Sequence, residues 1–182
     1  MKTTCVFIHG LDSSSHGTKG VYFKRRFPEM LVTDYRGCLE DRMHTLNLQL
    51  EDKTGLILIG SSFGGLMAAI YACNNVQKVK KLILLAPALD HEGFAPCLNT
   101  VIDIPVIVYH GSLDDVVPAE PVHSALIRVF SHISYHLVED DHPLHRTFTS
   151  LDWNALLGPR RCGNKCPKHF RITKDGFAEE KK

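Results

Sequence analysis

The chain has 182 residues, 44% of them hydrophobic and 23% charged, and its 21 Lys plus Arg nearly balance 20 Asp plus Glu for a formal net charge of +1. That length suits one compact domain able to bury roughly 70% of its unfolded surface without disulfide or metal staples. The charge balance argues against a nucleic-acid partner, the composition excludes fibrous and disordered classes, and no apolar run approaches the roughly 18–20 residues of a membrane helix.

In chain order, the opening run Cys5-Val6-Phe7-Ile8 is too short for an export-signal core of about 7–15 residues. It also leads directly into His9-Gly10, so a cytoplasmic location is expected. Strands are predicted over Cys5–His9, Leu31–Asp34, Leu56–Gly60, Leu82–Ala86, Val106–His110 and Ile133–Val138. Helical patterns fall over Leu39–Leu50, Phe63–Asn74, Pro118–Phe130 and Pro143–Leu157. The strands are continuously apolar rather than alternating, which marks strands covered on both faces by crossover helices. The expected fold is therefore an α/β three-layer sandwich around a mostly parallel sheet of about six strands. It occupies residues 1–158, followed by a basic, partly ordered tail over 159–182. Cys5, Cys38, Cys73 and Cys97 sit singly in or beside apolar segments, as small core hydrophobes of a reducing compartment do.

In such sheets ligands bind beyond the carboxyl ends of the strands, and four motifs stand there. Gly60-Ser61-Ser62-Phe63-Gly64 fits G-x-S-x-G between a strand and a helix, a turn that lifts a serine above the sheet edge. Ser61 cannot be the central serine, because Ile59 occupies the place of the first glycine. After the first strand, His9-Gly10-Leu11 can present the Leu11 N–H beside that of Phe63, a pair suited to an oxyanion. The serine-rich stretch Ser13-Ser14-Ser15-His16-Gly17 would line the pocket mouth. His110-Gly111-Ser112-Leu113-Asp114-Asp115 offers Asp114 as the acid that orients a histidine, leaving Asp115 as a helix-start residue. Finally, Glu139-Asp140-Asp141-His142-Pro143 offers His142 as general base, with His145 a surface or supporting residue. Each motif alone has a bland reading as a polar loop or cap; together they fall in order on one edge of one sheet.

At these residues the sequence resembles the α/β-hydrolase superfamily over roughly residues 4–157, and within it the small, single-domain esterases of the YqiA type. The resemblance implies Ser62 as nucleophile, Asp114 as acid, His142 as base, and Leu11 and Phe63 as oxyanion-hole residues. It implies a small-molecule ester or thioester substrate, with no cofactor and no metal. Two departures follow: the first expected strand already carries the His-Gly turn, so the family's two opening strands are expected to be absent, and only Pro87 to Ile104 stands where many relatives insert a lid. Leu89, Phe94 and Leu98 would line one side of that segment, and the site should be open. The same triad would also serve a thioesterase or small amidase, and the same fold a non-catalytic acyl-binding module. The tail residues Cys162, Cys166 and His169 are one ligand short of a closed zinc site, so no metal is assigned there. The sequence assigns no oligomeric state.

Overall fold

A computed structural model describes residues 3–158. The tail over 159–182, with Cys162, Cys166 and His169, lies outside the described residues. The chain divides into two compact units between Leu151 and Asp152.

The first unit is built on six strands: β1 (Thr4–Ile8), β2 (Leu31–Val32), β3 (Leu56–Ser61), β4 (Val79–Leu85), β5 (Ile102–Gly111) and β6 (Phe130–Val138). They form one sheet in the order β2-β1-β3-β4-β5-β6, and every neighbouring pair is parallel. The helices of this unit are α1 (Thr18–Arg26), α2 (Leu39–Leu50), α3 (Phe63–Asn74), α4 (Ala119–Val129) and α5 (His145–Ser150). In the second unit the described helix is α6 (Trp153–Leu157), opened by Asp152, whose carboxylate accepts from the Ala155 N–H at 3.1 Å.

Because side chains alternate across a strand, register divides the sheet into two faces. The row Val6, Leu58, Leu82, Val106 and Ile133 runs straight across five strands. It joins a core with Leu46 and Leu50 of α2, Leu66 and Met67 of α3, and Val122 and Leu126 of α4. Phe7 points to the opposite face and meets α1 and α5 through rings: Phe7 and Phe23 lie 4.9 Å apart, Phe23 and Phe148 5.5 Å. A parallel sheet covered on both faces is the three-layer arrangement expected from its continuously apolar strands.

Chain order steps outward from β1 to β2, then back across the sheet from β3 to β6. The crevice at such a reversal, here between β1 and β3, is where an open α/β sheet binds its ligand. Between β4 and β5 the chain spans only residues 86–101, with a 3-10 helix over Glu92–Asn99, so no cap domain is inserted there.

Four local expectations need correction. Helix α1 stands where no element was expected, and Gly20 and Phe23 alone of its residues are buried. The helix expected over Pro143–Leu157 is two short helices. Leu144 in a left-handed conformation precedes α5, and the Asp152 cap starts α6 afresh. The side of the Pro87–Ile104 segment expected to carry Leu89, Phe94 and Leu98 faces the core: Leu89 and Phe94 are buried in it and Leu98 packs against it. Cys38 is no core residue; it is exposed at the start of α2, where its N–H donates to the Asp41 carboxylate.

Candidate active site

Ser62 follows β3 and opens α3 with φ 54° and ψ −120°, a region that costs a non-glycine residue about 1–3 kcal/mol. The surroundings hold it there. The Ser62 N–H donates to Leu85 O at 2.9 Å, and its carbonyl accepts from the Ala88 and Gly65 N–H groups at 3.1 and 2.8 Å. A side chain on Gly64 would run into the carbonyls of Ile8 and His9, the latter 2.6 Å from the new carbon. The glycine of the motif is thus required by the close approach of β1 to the turn.

Asp114 and His142 arrive on the loops after β5 and β6, which are knitted by their backbones. Ser112 N–H donates to Val138 O at 2.7 Å, and Leu113 N–H to Asp140 O at 3.1 Å. Gly111 sits where an added carbon would lie 2.7 Å from Asp141 O, so any larger residue would force the two loops apart. His142 Nδ1 lies 2.8 Å from Asp114 Oδ2, and His142 Nε2 lies 2.9 Å from Ser62 Oγ. A carboxylate only accepts, so Nδ1 carries the ring proton and donates it to Asp114, leaving Nε2 free to accept from the Ser62 hydroxyl. Three side chains predicted from separate motifs therefore stand in one hydrogen-bonded line. Such a line can draw a proton from a serine as its oxygen attacks carbon.

The Asp114 side chain is 1% exposed, and a buried carboxylate needs full hydrogen-bond compensation. Its Oδ1 accepts from the Val116 and Val117 N–H groups at 3.0 and 2.8 Å. Its Oδ2 also faces His110 Nε2 at 3.3 Å. His110 is fully buried, and the same nitrogen lies 2.9 Å from Val117 O. With acceptors on both sides, Nε2 must be the protonated nitrogen, so His110 steadies both the acid and its loop. Sequence reasoning gives His110 no role; the available signal was that it opens the motif ending in Asp114.

Asp140, buried two residues before His142, anchors the other loop. It accepts from the Thr147 N–H at 2.7 Å and the Asp141 N–H at 3.0 Å. Burial works to raise its pKa, but these hydrogen bonds prevail and hold the carboxyl below its ordinary value. Exposed His145 lies 2.6 Å from Asp141 Oδ2, and this hydrogen bond lowers the Asp141 pKa. Asp115 does not begin a helix; it is an exposed turn residue ahead of α4, whose first-turn acid is Glu120.

Among the described residues, neither the Leu11 nor the Phe63 N–H is taken up by a hydrogen bond. Phe63 is the first residue of α3, where the helix has no acceptor for it. The cleft above Ser62 has a volume of about 390 Å³ and is lined by Leu11, Val116, His142, Phe148 and Lys19 among others. Lys19 donates to Pro143 O at 2.6 Å. Desolvation lowers its pKa, against partial support from Asp141 and Asp140. Of the serine-rich stretch, Ser13 lines the cleft. Ser15 does not: it is buried, with its N–H on Asp34 Oδ1 at 2.5 Å and its hydroxyl accepting from Lys24 at 2.8 Å.

A family model described as the alpha/beta hydrolase fold matches residues 8–99, just over half of the chain. The protein belongs to the α/β-hydrolase family. Among solved structures, this α/β-hydrolase is similar to mouse alpha/beta hydrolase domain-containing protein 10, at a TM-score of 0.65 and 21% identity over 77% of this chain and 82% of that one. An alpha-beta serine hydrolase homologue from Coxiella burnetii matches at 0.61 and 22% identity, over 81% and 79% of the two chains. Est1E from Butyrivibrio proteoclasticus with bound ferulic acid matches at 0.63 and 16%, over 81% and 84%. At these identities the likeness is one of fold. No curated protein matches in sequence.

Among the described residues, no helix of this α/β-hydrolase is long and apolar enough to cross a membrane.

Proposed function

We propose that this α/β-hydrolase is a serine esterase that cleaves carboxylic esters of short to medium acyl chains through an acyl-Ser62 intermediate. The observation that carries the reading is the unbroken line from Ser62 Oγ to His142 to Asp114, at 2.9 and 2.8 Å. In this reading Ser62 Oγ attacks the ester carbonyl carbon while its proton passes to His142 Nε2, and Asp114 stabilises the imidazolium that results. The carbonyl oxygen becomes an oxyanion and accepts from the uncommitted N–H groups of Leu11 and Phe63. As the tetrahedral centre collapses, the ester C–O bond breaks and His142 returns the proton to the leaving alcohol. Water then attacks the acyl-enzyme, with His142 again as base, and releases the acid and free Ser62. No step calls for a metal or an organic cofactor.

The cleft supports a small substrate. Its volume is about 390 Å³, and Leu11, Val116 and Phe148 give it apolar wall. A cytoplasmic location fits the free thiols of Cys5, Cys38, Cys73 and Cys97, because oxidising compartments tend to pair such residues.

Hydrolysis of p-nitrophenyl esters from acetate to palmitate, by wild type and Ser62→Ala, tests the proposal. Turnover is expected on the shorter chains, with kcat falling by about 10⁴-fold or more in Ser62→Ala. Equal activity in the variant would overturn the nucleophile. Folded wild type that ignored every ester but cleaved thioesters or small amides would overturn the substrate class.

A further inference from the structure

Arg42 is 5% exposed, a burial that arginine rarely reaches without a carboxylate partner. Among the described residues no carboxylate lies within ion-pair distance of it. Its neighbour Asp41 is engaged by the Cys38 N–H and thiol instead, at 3.3 and 3.2 Å. The guanidinium is held by two backbone carbonyls, Gly37 O at 3.0 Å from Nε and Leu11 O at 3.3 Å from Nη2. Its central carbon lies 5.5 Å from the centroid of the Phe63 ring. The remaining nitrogen, Nη1, is buried with no hydrogen-bond partner.

Stability does not explain this arrangement. Taking a charge out of water without a contacting counter-charge is costly, and a well-packed apolar side chain at the same place is commonly neutral or better. The position also belongs to the core-facing stripe of α2, with Leu46 and Leu50 one and two turns on, where an apolar residue is the ordinary choice. What distinguishes the site is its company. The two residues Arg42 touches from a distance in sequence, Leu11 and Phe63, are the two whose N–H groups are free to receive an oxyanion.

We infer that Arg42 is a positioning residue of the oxyanion hole. It fixes Leu11 through its carbonyl and Phe63 through its ring, and it holds behind both a positive charge that no carboxylate contacts, Asp12 acting on it only from beyond ion-pair distance. A neutral ester in the ground state gains little from that charge; the oxyanion formed when Ser62 attacks gains much more. Interactions realised only in the transition state act on kcat rather than on KM. Arg42 touches no reacting atom and works through the two backbone donors. The inference rests on the serine-hydrolase reading above.

The test compares wild type, Ser62→Ala, Arg42→Met and Arg42→Lys on the best p-nitrophenyl ester. It also measures inhibition by an alkyl boronic acid, whose tetrahedral Ser62 adduct places an oxygen in the hole. Arg42→Met keeps most of the side-chain volume and loses the charge and both hydrogen bonds. Its kcat is expected to fall about 10- to 100-fold, with KM within about twofold and boronate affinity weakened by a factor similar to the kcat loss. Arg42→Lys restores the charge without the two-pronged hold, and a loss of about three- to tenfold in kcat is expected. A folded Arg42→Met with wild-type kcat and boronate affinity, or with its whole loss in KM, would overturn the inference. If Arg42→Met does not fold, Arg42→Lys decides alone, and wild-type kcat there would overturn it. Folded wild type that cleaves no ester, or ester cleavage that persists undiminished in Ser62→Ala, would instead remove the serine-hydrolase reading and take this inference with it.

Discussion

The two sides of Ser62 are built on opposite electrostatic terms. On the acid–base side, the buried charge of Asp114 is met by the Val116 and Val117 N–H groups, by His142 and by His110. On the side of Leu11 and Phe63, the buried charge of Arg42 has two carbonyls, a ring and the more distant Asp12 for company, and one nitrogen without a hydrogen bond. The first is what a fold does with a charge it must keep still. The second leaves a charge that only the more distant Asp12 offsets, at the place where the proposed mechanism puts negative charge during reaction. Preorganised charge of that kind needs no rearrangement at the moment of attack, and its cost falls on the resting protein.

The largest expected effect that would sharpen this contrast is on the acid–base side. Asp114→Asn should leave the fold intact but let the amide favour the wrong His142 tautomer, so that kcat falls by about 10³–10⁴-fold. Steady-state kinetics with a matched thermal melt check this; a loss below tenfold would mean that Asp114 does not orient the base. His110→Asn comes next. Loosening the Asp114 carboxylate should cost about tenfold in kcat, and removing a buried hydrogen-bonded group about 1–3 kcal/mol of stability. Denaturant unfolding and kinetics on the same sample separate the two effects.

Asp140→Asn should be the mildest for chemistry and visible in stability, at about 1–3 kcal/mol near neutral pH. The sign of its pH dependence follows from the lowered pKa. The unfolded carboxyl titrates near about 3.9, and the folded one below its ordinary value. The stabilisation from Asp140 is therefore complete above the unfolded pKa and is lost as pH falls through the folded one. Urea midpoints for wild type and Asp140→Asn should differ at pH 7 and converge below about pH 4; a gap that persisted in acid would assign the effect to packing rather than charge.

What could be read in the sequence follows the same division. Ser62, Asp114 and His142 each stand just past an apolar strand in a short motif, so sheet periodicity alone brings them to one edge. Arg42 and His110 do not announce themselves that way. Arg42 meets Leu11 across 31 positions and His110 meets Asp114 through a turn; neither contact is implied by the type of residue at that place. A polar residue on the apolar stripe of α2 was the signal left unread. Helix α1 escaped because its buried residues are a glycine and one phenylalanine, too few for a periodic pattern. Strand β5 proved longer than predicted, because its first half alternates: Ile102 and Ile104 are buried while Asp103 and Pro105 are exposed. That alternation is the signature of a strand end covered on one face.

The central claim is that Ser62 is a nucleophile activated through His142. The most direct measurement is the intact mass and peptide map of wild type and His142→Ala after exposure to a fluorophosphonate. Rapid addition of one phosphonyl group to Ser62 in wild type, and a much slower reaction in His142→Ala, is the predicted result. Folded wild type that remains unlabelled, or is labelled at another residue, would contradict it.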